Sequence, residues 1–291
     1  MNKLLKVWAA FLAHTPIYLG LLASGLAFTT SRYYKLVLPT PFYFFVFFST
    51  LFVYNLDRIL SVKIDFRNQP ERTRFFSENR RFIIISMVIT IPVLLFPVLF
   101  YTPVFIAINF FLFILSIFYI IIFSSSKRES NIRYLAILKP LLIGTVWGCV
   151  VLILPFSLEP EFELPESIYY LSGFRFLIYV SNAILFDLKD VPGDIESGKL
   201  NFTVWAGMRR IYIYMAGFAV VGAYFLWQWY SFIGDPILLV GEVLSLICLV
   251  VIITYSALSD FRFKSELSYI LLLDGILFFP VLTSLVRLAF Q

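Results

Sequence analysis

Long apolar runs dominate the sequence, and short polar segments separate them. A transmembrane helix needs about 20 mostly apolar residues to cross about 30 Å of hydrocarbon. The runs do not alternate apolar and polar residues, as the strands of a membrane β-barrel would. The pattern therefore predicts an all-α integral membrane protein, a bundle of about nine transmembrane helices. The predicted spans are 8–30, 38–60, 82–101, 103–124, 137–156, 168–188, 211–232, 237–258 and 268–290.

Several of the connections between these runs are very short. Tyr101–Thr102–Pro103 and Gly234–Asp235–Pro236 have the composition of tight turns, which indicates antiparallel neighbouring helices. No low-complexity linker interrupts the chain. We therefore expect residues 1–291 to form a single transmembrane helical domain.

Composition rules out an ordinary soluble domain. Hydrophobic residues make up 60% of the chain and charged residues 14%, with a mean hydropathy of +0.90. A soluble domain has about 25% charged residues and a much smaller apolar share. The net charge of +5 gives no reason to expect nucleic acid as a partner, because the basic residues are grouped in certain loops. Membrane lipid is the expected surrounding.

The distribution of basic residues predicts the orientation. They precede the first span and lie between spans two and three, four and five, six and seven, and eight and nine. The loop at 157–167 has four glutamates and no basic residue. By the positive-inside rule, the N-terminus is expected in the cytoplasm, in a bacterial inner (cell) membrane.

A first acidic cluster lies at the predicted cytoplasmic end of the second span. Asp57, Ser61 and Asp65 follow one another at intervals of four residues. On a helix, side chains four residues apart lie on one face. The pattern therefore predicts a polar face at this end of the helix.

A second acidic cluster ends the sixth span. Asp187, Asp190 and Asp194 share one face if the helix continues through them. Pro192 and Gly193 lie between the last two, and both residues favour the end of a helix. We therefore expect Asp194 to lie on a loop.

Carboxylates at a bilayer boundary are costly unless something compensates their charge. Each aspartate taken alone is interpreted most simply as a solvated helix flank. Two acidic sets on one side of the membrane instead favour a bound divalent cation between them. Mg²⁺ uses few carboxylates and keeps waters or substrate phosphates as its other ligands. The two Asp-rich loops, at about 57–81 and 187–210, therefore predict a site for a magnesium diphosphate.

Two motifs give the chain a family resemblance. The first is Asp65-x-x-Asn68-x-Pro70-x-Arg72, preceded at four-residue steps by Ser61 and Asp57; the second is Asp190-x-x-x-Asp194, followed by Gly198, Lys199 and Thr203. With these motifs the chain resembles the UbiA superfamily of intramembrane prenyltransferases. Ser61 stands where the family has an aspartate, which is a departure from the pattern.

The resemblance implies an enzyme that moves an isoprenyl group from its diphosphate to an aromatic or other lipophilic acceptor, with Mg²⁺ as cofactor. It implies that Asp65, Asp190 and Asp194 are catalytic. It implies metal binding, directly or through water, by Asp57, Ser61, Asp65, Asp187, Asp190 and Asp194. It implies diphosphate contacts from Asn68, Arg72, Lys199 and Lys139.

Three intramembrane charges leave an alternative open. Arg175, Glu242 and Asp274 fall inside predicted spans, and such residues often form transport pathways. A polytopic transporter or a non-catalytic membrane binding protein is therefore the alternative function, although pairing of Arg175 with Glu242 or Asp274 is the preferred interpretation. Cyclisation of a prenyl substrate is a further alternative. Four tryptophans, among them Trp147, are interpreted as interfacial anchors.

Overall fold

Helices make up nearly all of the described chain. The computed structural model describes residues 15–68, 70–123, 133–196, 201–259 and 272–290, and no strand occurs within these ranges. Its α-helices are α1 (Ile17–Tyr34), α2 (Thr40–Asn68), α3 (Pro70–Glu78), α4 (Arg80–Phe100), α5 (Pro103–Phe123), α6 (Arg133–Gly148), α7 (Glu166–Glu196), α8 (Phe202–Ala206), α9 (Met208–Ile233), α10 (Pro236–Ser259) and α11 (Phe279–Ala289). A helical segment overlaps the described part of every predicted span, which confirms the all-α class.

Six helical segments in the described residues are long and apolar enough to cross a membrane. They are Thr40–Leu60, Pro103–Phe123, Leu135–Leu158, Glu166–Leu188, Met208–Ile233 and Pro236–Leu258. Large apolar side chains such as Phe110, Val220 and Trp227 are more than half exposed on the outside. Lipid is the medium in which so much exposed apolar surface is stable. The chain is therefore an integral membrane protein.

The short connections are tight turns, as predicted. Helix α9 ends at Gly234, which has a positive φ of 65° and so adopts the left-handed conformation that glycine tolerates. The Asp235 side chain then accepts a hydrogen bond from the backbone N–H of Ile237 at 3.0 Å and caps α10. In the other turn, Thr102 Oγ1 accepts from the Phe105 N–H at 3.1 Å. After the turn at Gly234, α9 and α10 pack against each other.

The helices pack in an order that closes on itself. Helix α1 packs against α2, and α2 against α4. Helix α5 packs against α6, α6 against α7, α7 against α9, and α9 against α10. Helix α11 packs against both α10 and α1. The first and last helices are therefore neighbours, so residues far apart in the sequence face a common interior.

Helix α7 is the most buried of the candidate spans. In its apolar segment 61% of residues are buried, against 22–39% in the other five. Leu171, Phe174 and Ile184 are fully inside the main hydrophobic core. The helix nevertheless has polar residues along its length, from Arg175 to Asp194. Polar groups on so buried a helix need partners within the bundle.

Among the described residues, three segments depart from α-helical geometry, at Cys149–Ile153, Leu154–Leu158 and Asp274–Phe278, and side chains bond to their backbone. After α6 the chain forms a π-turn at Cys149–Ile153, where Thr30 Oγ1 donates to the carbonyl of Val151 at 2.7 Å. The last span begins with a 3₁₀ segment at Asp274–Phe278, where Ser245 Oγ donates to the carbonyl of Ile276 at 2.8 Å. Irregular backbone at membrane depth is tolerated where protein groups supply such bonds.

Both helices that have acidic clusters extend further than the sequence predicts. Helix α2 continues to Asn68, past the predicted end of its span. Helix α7 continues through Pro192 and Gly193 to Glu196, so Asp194 lies on the helix and the predicted loop position was wrong. A proline removes one intrahelical hydrogen bond. The buried contacts of Asp194 described below hold this end of the helix.

Candidate active site

A cavity of about 220 Å³ lies where the ends of several helices converge. Its walls come from α1, α2, α5, α6, α7 and the 3₁₀ segment of the last span. The lining side chains are Thr15, Tyr18, Leu19, Tyr54, Asp57, Arg58, Tyr119, Lys139, Ile143, Trp147, Tyr179, Asn182, Ala183, Phe186, Asp187, Asp274 and Leu277. We call this the polar cavity, because it brings together acidic, basic and aromatic groups.

One aspartate from each acidic cluster faces the polar cavity. Asp57 comes from α2 and Asp187 from α7. Asp187 is buried, with 5% of its surface exposed. The packing of α2 against α7 brings the two carboxylates, 130 positions apart in the printed numbering, to one space. The arrangement brings carboxylate oxygens from two helices to one cavity.

Lys139 neutralises Asp187. Its Nζ donates to Asp187 Oδ1 at 2.5 Å, and both side chains are largely buried. Lys139 precedes Pro140 inside α6, and the proline has no N–H to donate to the carbonyl of Ala136. A buried ammonium needs such a partner, because desolvation of an isolated charge is costly. The ion pair places a cation directly beside a candidate metal ligand.

Arg58 is a second cation in the wall of the polar cavity. It is 8% exposed, and its guanidinium lies 5.0 Å from the centre of the Phe76 ring of α3. Such a cation–π contact helps to hold a buried guanidinium in place. Arg58 is not among the site residues that the motifs predict. The signal that it belongs to the site was its position next to Asp57.

A second, apolar cavity of about 380 Å³ adjoins the polar one. It lies among α2, α4, α5 and α6, and its walls include Phe45, Phe52, Leu95, Phe110, Phe113, Ser116 and Val150. Tyr54 and Trp147 line both cavities, and Trp147 Nε1 donates to the Tyr54 hydroxyl at 3.0 Å. Trp147 therefore lies inside the bundle at the boundary of the two cavities, which differs from its predicted place as an interfacial anchor.

The overall structure matches solved structures of one family. A UbiA homologue from Aeropyrum pernix K1 superposes with a TM-score of 0.72 over 94% of this chain and 98% of that chain, at 11% identity. A digeranylgeranylglyceryl phosphate synthase superposes with a TM-score of 0.60 over 95% and 96% of the two chains, at 16% identity. No family model and no curated protein matches the sequence. The chain has the UbiA fold. The predicted resemblance is thus confirmed at the level of the fold.

Within this UbiA fold, the remaining members of the second acidic cluster lie outside the wall of the polar cavity. Asp190 is half-buried on the same helix. Asp194 is 4% exposed and accepts a hydrogen bond from Asn201 Nδ2 at 2.6 Å. Asn201 Oδ1 in turn caps α8 by accepting from the N–H of Val204 at 2.7 Å. Asp194 thereby joins the end of α7 to the start of α8, a contact that sequence reasoning missed.

Five predicted site residues lie partly or wholly outside the described part of the structure. The backbone of Ser61, Asp65, Asn68 and Arg72 is helical, but their side chains lie outside the described part of the structure. Lys199 lies outside the described residues altogether. Among the described residues, no three acidic, histidine or cysteine side chains come together as a metal-binding group.

The three intramembrane charges separate into two sites. Arg175 pairs with Glu242, as the preferred interpretation predicts, and both are almost fully buried. Asp274 instead lines the polar cavity and accepts a hydrogen bond from Asn182 Nδ2 at 3.1 Å. Nothing in the local sequence distinguishes Asp274 from Glu242. Only the packing of the last span against its neighbours decides which acid faces the cavity.

Proposed function

We propose that this protein is a magnesium-dependent intramembrane prenyltransferase, which moves an isoprenyl group from its diphosphate to an aromatic or other lipophilic acceptor. The observation that supports the proposal is that a polar cavity and an apolar cavity adjoin each other in a UbiA fold. One cavity contains Asp57, Asp187, Arg58 and Lys139, and the other is apolar. An isoprenyl diphosphate has the same division into a charged head and a hydrocarbon chain.

The donor set of the polar cavity fits Mg²⁺. Asp57 and Asp187 supply two carboxylates from separate helices, and Mg²⁺ combines few protein carboxylates with water and substrate phosphates. When bound, the ion would neutralise negative charge on the leaving diphosphate. Following the motifs, the proposal extends metal binding to Ser61, Asp65, Asp190 and Asp194.

The basic side chains are proposed to hold the diphosphate. Lys139 bonds to Asp187, and a phosphate oxygen is an equivalent anionic acceptor for the same ammonium. Arg58 adds a guanidinium suited to bidentate phosphate contacts. Asn68, Arg72 and Lys199 are proposed to contact the same group, on the strength of the motif alone.

The aromatic lining suits the reaction. When the allylic carbon–oxygen bond breaks, its electron pair leaves with the diphosphate and the isoprenyl group becomes cationic. Tyr54, Tyr119, Trp147 and Tyr179 line the cavity, and aromatic rings stabilise a cation that lies over their faces. The acceptor then forms a bond to the allylic carbon and loses a proton. The buried walls exclude water, which would otherwise capture the cation.

The orientation of the protein in the membrane is also part of the proposal. With the N-terminus in the cytoplasm of a bacterial cell, the acidic ends of α2 and α7 would open toward soluble diphosphates. The loop charges support this orientation through the positive-inside rule.

Binding of an isoprenyl diphosphate tests the proposal most directly. Purified protein in detergent is titrated with farnesyl diphosphate, with and without Mg²⁺, by calorimetry. We expect Mg²⁺-dependent binding that Asp187→Asn and Asp57→Asn each weaken. Asp65→Ala and Asp190→Ala test the motif residues in the same way.

The control is Glu78→Gln, which removes an acidic group that is mostly exposed on α3. It should leave binding as in the wild type. Absence of Mg²⁺-dependent binding in the wild type, or wild-type affinity in all four aspartate variants, would contradict the proposal.

A further inference from the structure

Two aromatic side chains lie at the boundary between the polar cavity and the apolar cavity. Tyr54 of α2 and Trp147 of α6 each line both cavities. Trp147 Nε1 donates to the Tyr54 hydroxyl at 3.0 Å and so joins the two helices at this boundary. The rings of Trp147 and Tyr179 lie 5.9 Å apart, centre to centre, which adds α7 to the same contact. In the proposed reaction these rings stabilise a cation, but the Tyr54 hydroxyl has no role.

The bond from Trp147 fixes how the Tyr54 hydroxyl is used. An indole N–H is a donor only, so the Tyr54 oxygen is the acceptor in this bond. The phenol has one O–H of its own, which the bond to Trp147 leaves available as a donor. Tyr54 precedes Asp57 by three residues on α2, so the two side chains lie on one face of the helix. Tyr54 therefore places a hydrogen-bond donor where the two cavities meet.

The division of an isoprenyl diphosphate between the two cavities places its reactive bond. The charged head is expected beside Asp57, Asp187 and Lys139, and the hydrocarbon chain in the apolar cavity. The bond that breaks joins the bridging oxygen of the diphosphate to the first carbon of the chain, so it lies where head and chain meet. Tyr54 and Trp147 line both cavities, so we expect the bridging oxygen beside them.

Resting on the proposed function, we propose that Tyr54 is a catalytic residue whose hydroxyl donates a hydrogen bond to the bridging oxygen of the isoprenyl diphosphate. Trp147 is a positioning residue, which occupies an accepting site of the Tyr54 oxygen and keeps its O–H turned toward the substrate. When the carbon–oxygen bond breaks, its electron pair goes to the bridging oxygen, and Tyr54 keeps its proton. The acceptor captures the isoprenyl cation and loses a proton of its own.

This hydrogen bond favours cleavage because the bridging oxygen gains negative charge in the transition state. A hydrogen bond to a charged acceptor is stronger than one to a neutral acceptor. The contact with Tyr54 therefore stabilises the transition state more than it stabilises the bound substrate, which is the condition for catalysis. The apolar wall beside Tyr54 limits competition from water for the same oxygen.

The test uses two probes that differ in one atom. Farnesyl diphosphate has oxygen at the bridging position, whereas farnesyl S-thiolodiphosphate has sulfur there, which is a weak hydrogen-bond acceptor. Binding of each probe in the presence of Mg²⁺ is measured by calorimetry, with no prenyl acceptor added. We expect the wild type to bind the oxygen probe more tightly, and Tyr54→Phe to reduce this preference by about two- to tenfold. A structural role of the hydroxyl alone would weaken both probes equally and leave the preference unchanged.

Three further variants separate the hydroxyl from its surroundings. Tyr54→Phe leaves the Trp147 N–H without its acceptor, whereas the double variant Tyr54→Phe/Trp147→Phe removes both polar groups. The double variant should lose the preference to the same extent as Tyr54→Phe. Trp147→Phe alone should show an intermediate preference, because the hydroxyl remains but can turn away. The matched control is Tyr224→Phe, which removes a hydroxyl from a ring that is 56% exposed on α9 and should keep the wild-type preference.

The results that would overturn the inference differ from failure of the proposed function. Equal binding of the two probes by the wild type, or a wild-type preference in Tyr54→Phe or in the double variant, would show that Tyr54 does not bond to the bridging oxygen. A wild-type preference in Trp147→Phe would remove the positioning role of Trp147. No Mg²⁺-dependent binding of either probe to the wild type would instead contradict the proposed function, and this inference with it.

Discussion

We expect the ion pair between Arg175 and Glu242 to stabilise the fold, and we expect loss of either charge alone to destabilise the protein more than loss of both. Arg175 Nε donates to Glu242 Oε1 at 3.2 Å, and Nη2 donates to the same oxygen. The Tyr33 hydroxyl also donates to that oxygen, at 2.9 Å. The pair joins α7 to α10, and Tyr33 adds α1.

Burial sets the size of the expected effect. The side chains of Arg175 and Glu242 are 3% and 2% exposed, so water compensates neither charge. Removing one partner of a buried pair leaves the other uncompensated, at a cost of about 3–5 kcal/mol, whereas replacing both by apolar residues is often neutral. An exposed pair, such as Arg74 with Glu78 at 79% and 59% exposure, contributes little, because water screens both charges.

The measurement is a double-mutant cycle on unfolding in detergent. Arg175→Met and Glu242→Leu are made singly and together, with Arg74→Met and Glu78→Leu as the matched exposed cycle. We expect each buried single variant to lose about 3–5 kcal/mol of unfolding free energy and the double variant to recover most of it. The exposed cycle should show much weaker coupling than the buried one, because water already compensates both charges.

Two results would refute this reasoning. The first is that Arg175→Met and Glu242→Leu each lose no more unfolding free energy than the exposed single variants. The second is that the loss in the buried double variant equals the sum of the losses in its two single variants. Either would mean that the two charges are not each other's main compensation. Ion flux in sealed vesicles that requires Arg175 and Glu242 would then favour the transporter alternative.

Three further predictions concern the cavities and the helix packing. Lys139→Met keeps the apolar stem but removes the ammonium beside Asp187. Calorimetry should therefore show that diphosphate binding is weakened by about 1.5–3 kcal/mol, and an unchanged affinity would contradict the role of Lys139. Ser116→Phe adds a ring to the wall of the apolar cavity and should shorten the longest isoprenyl diphosphate bound, and an unaltered chain-length profile would count against that cavity as the chain site. Gly241→Ala would bring a Cβ within 2.8 Å of the Pro280 backbone and should destabilise the protein by about 1–3 kcal/mol in thermal unfolding. Gly217→Ala, which meets nothing within 4 Å, should instead gain about 0.5–1 kcal/mol, and equal effects of the two alanines would refute the packing argument.

Local sequence was sufficient for features that depend on a few neighbouring residues. The turn at Gly234–Asp235–Pro236 has the predicted form because glycine adopts the positive φ and the aspartate caps the next helix. The prediction that Asp194 lies on a loop was wrong, because it used local preferences alone. Pro192 and Gly193 favour a helix end locally, but the contact of buried Asp194 with Asn201 outweighs that preference.

The sequence by itself determined that lipid surrounds this protein, where its helices run, and that acidic residues gather at two helix ends, because hydropathy and helical periodicity are local properties. Tertiary structure alone decided that Asp57, Lys139, Asp187 and Asp274 face one cavity and that Arg175 and Glu242 face each other. Periodicity tells which face of a helix a side chain occupies, but the neighbour that this face meets depends on how helices distant in the chain pack together.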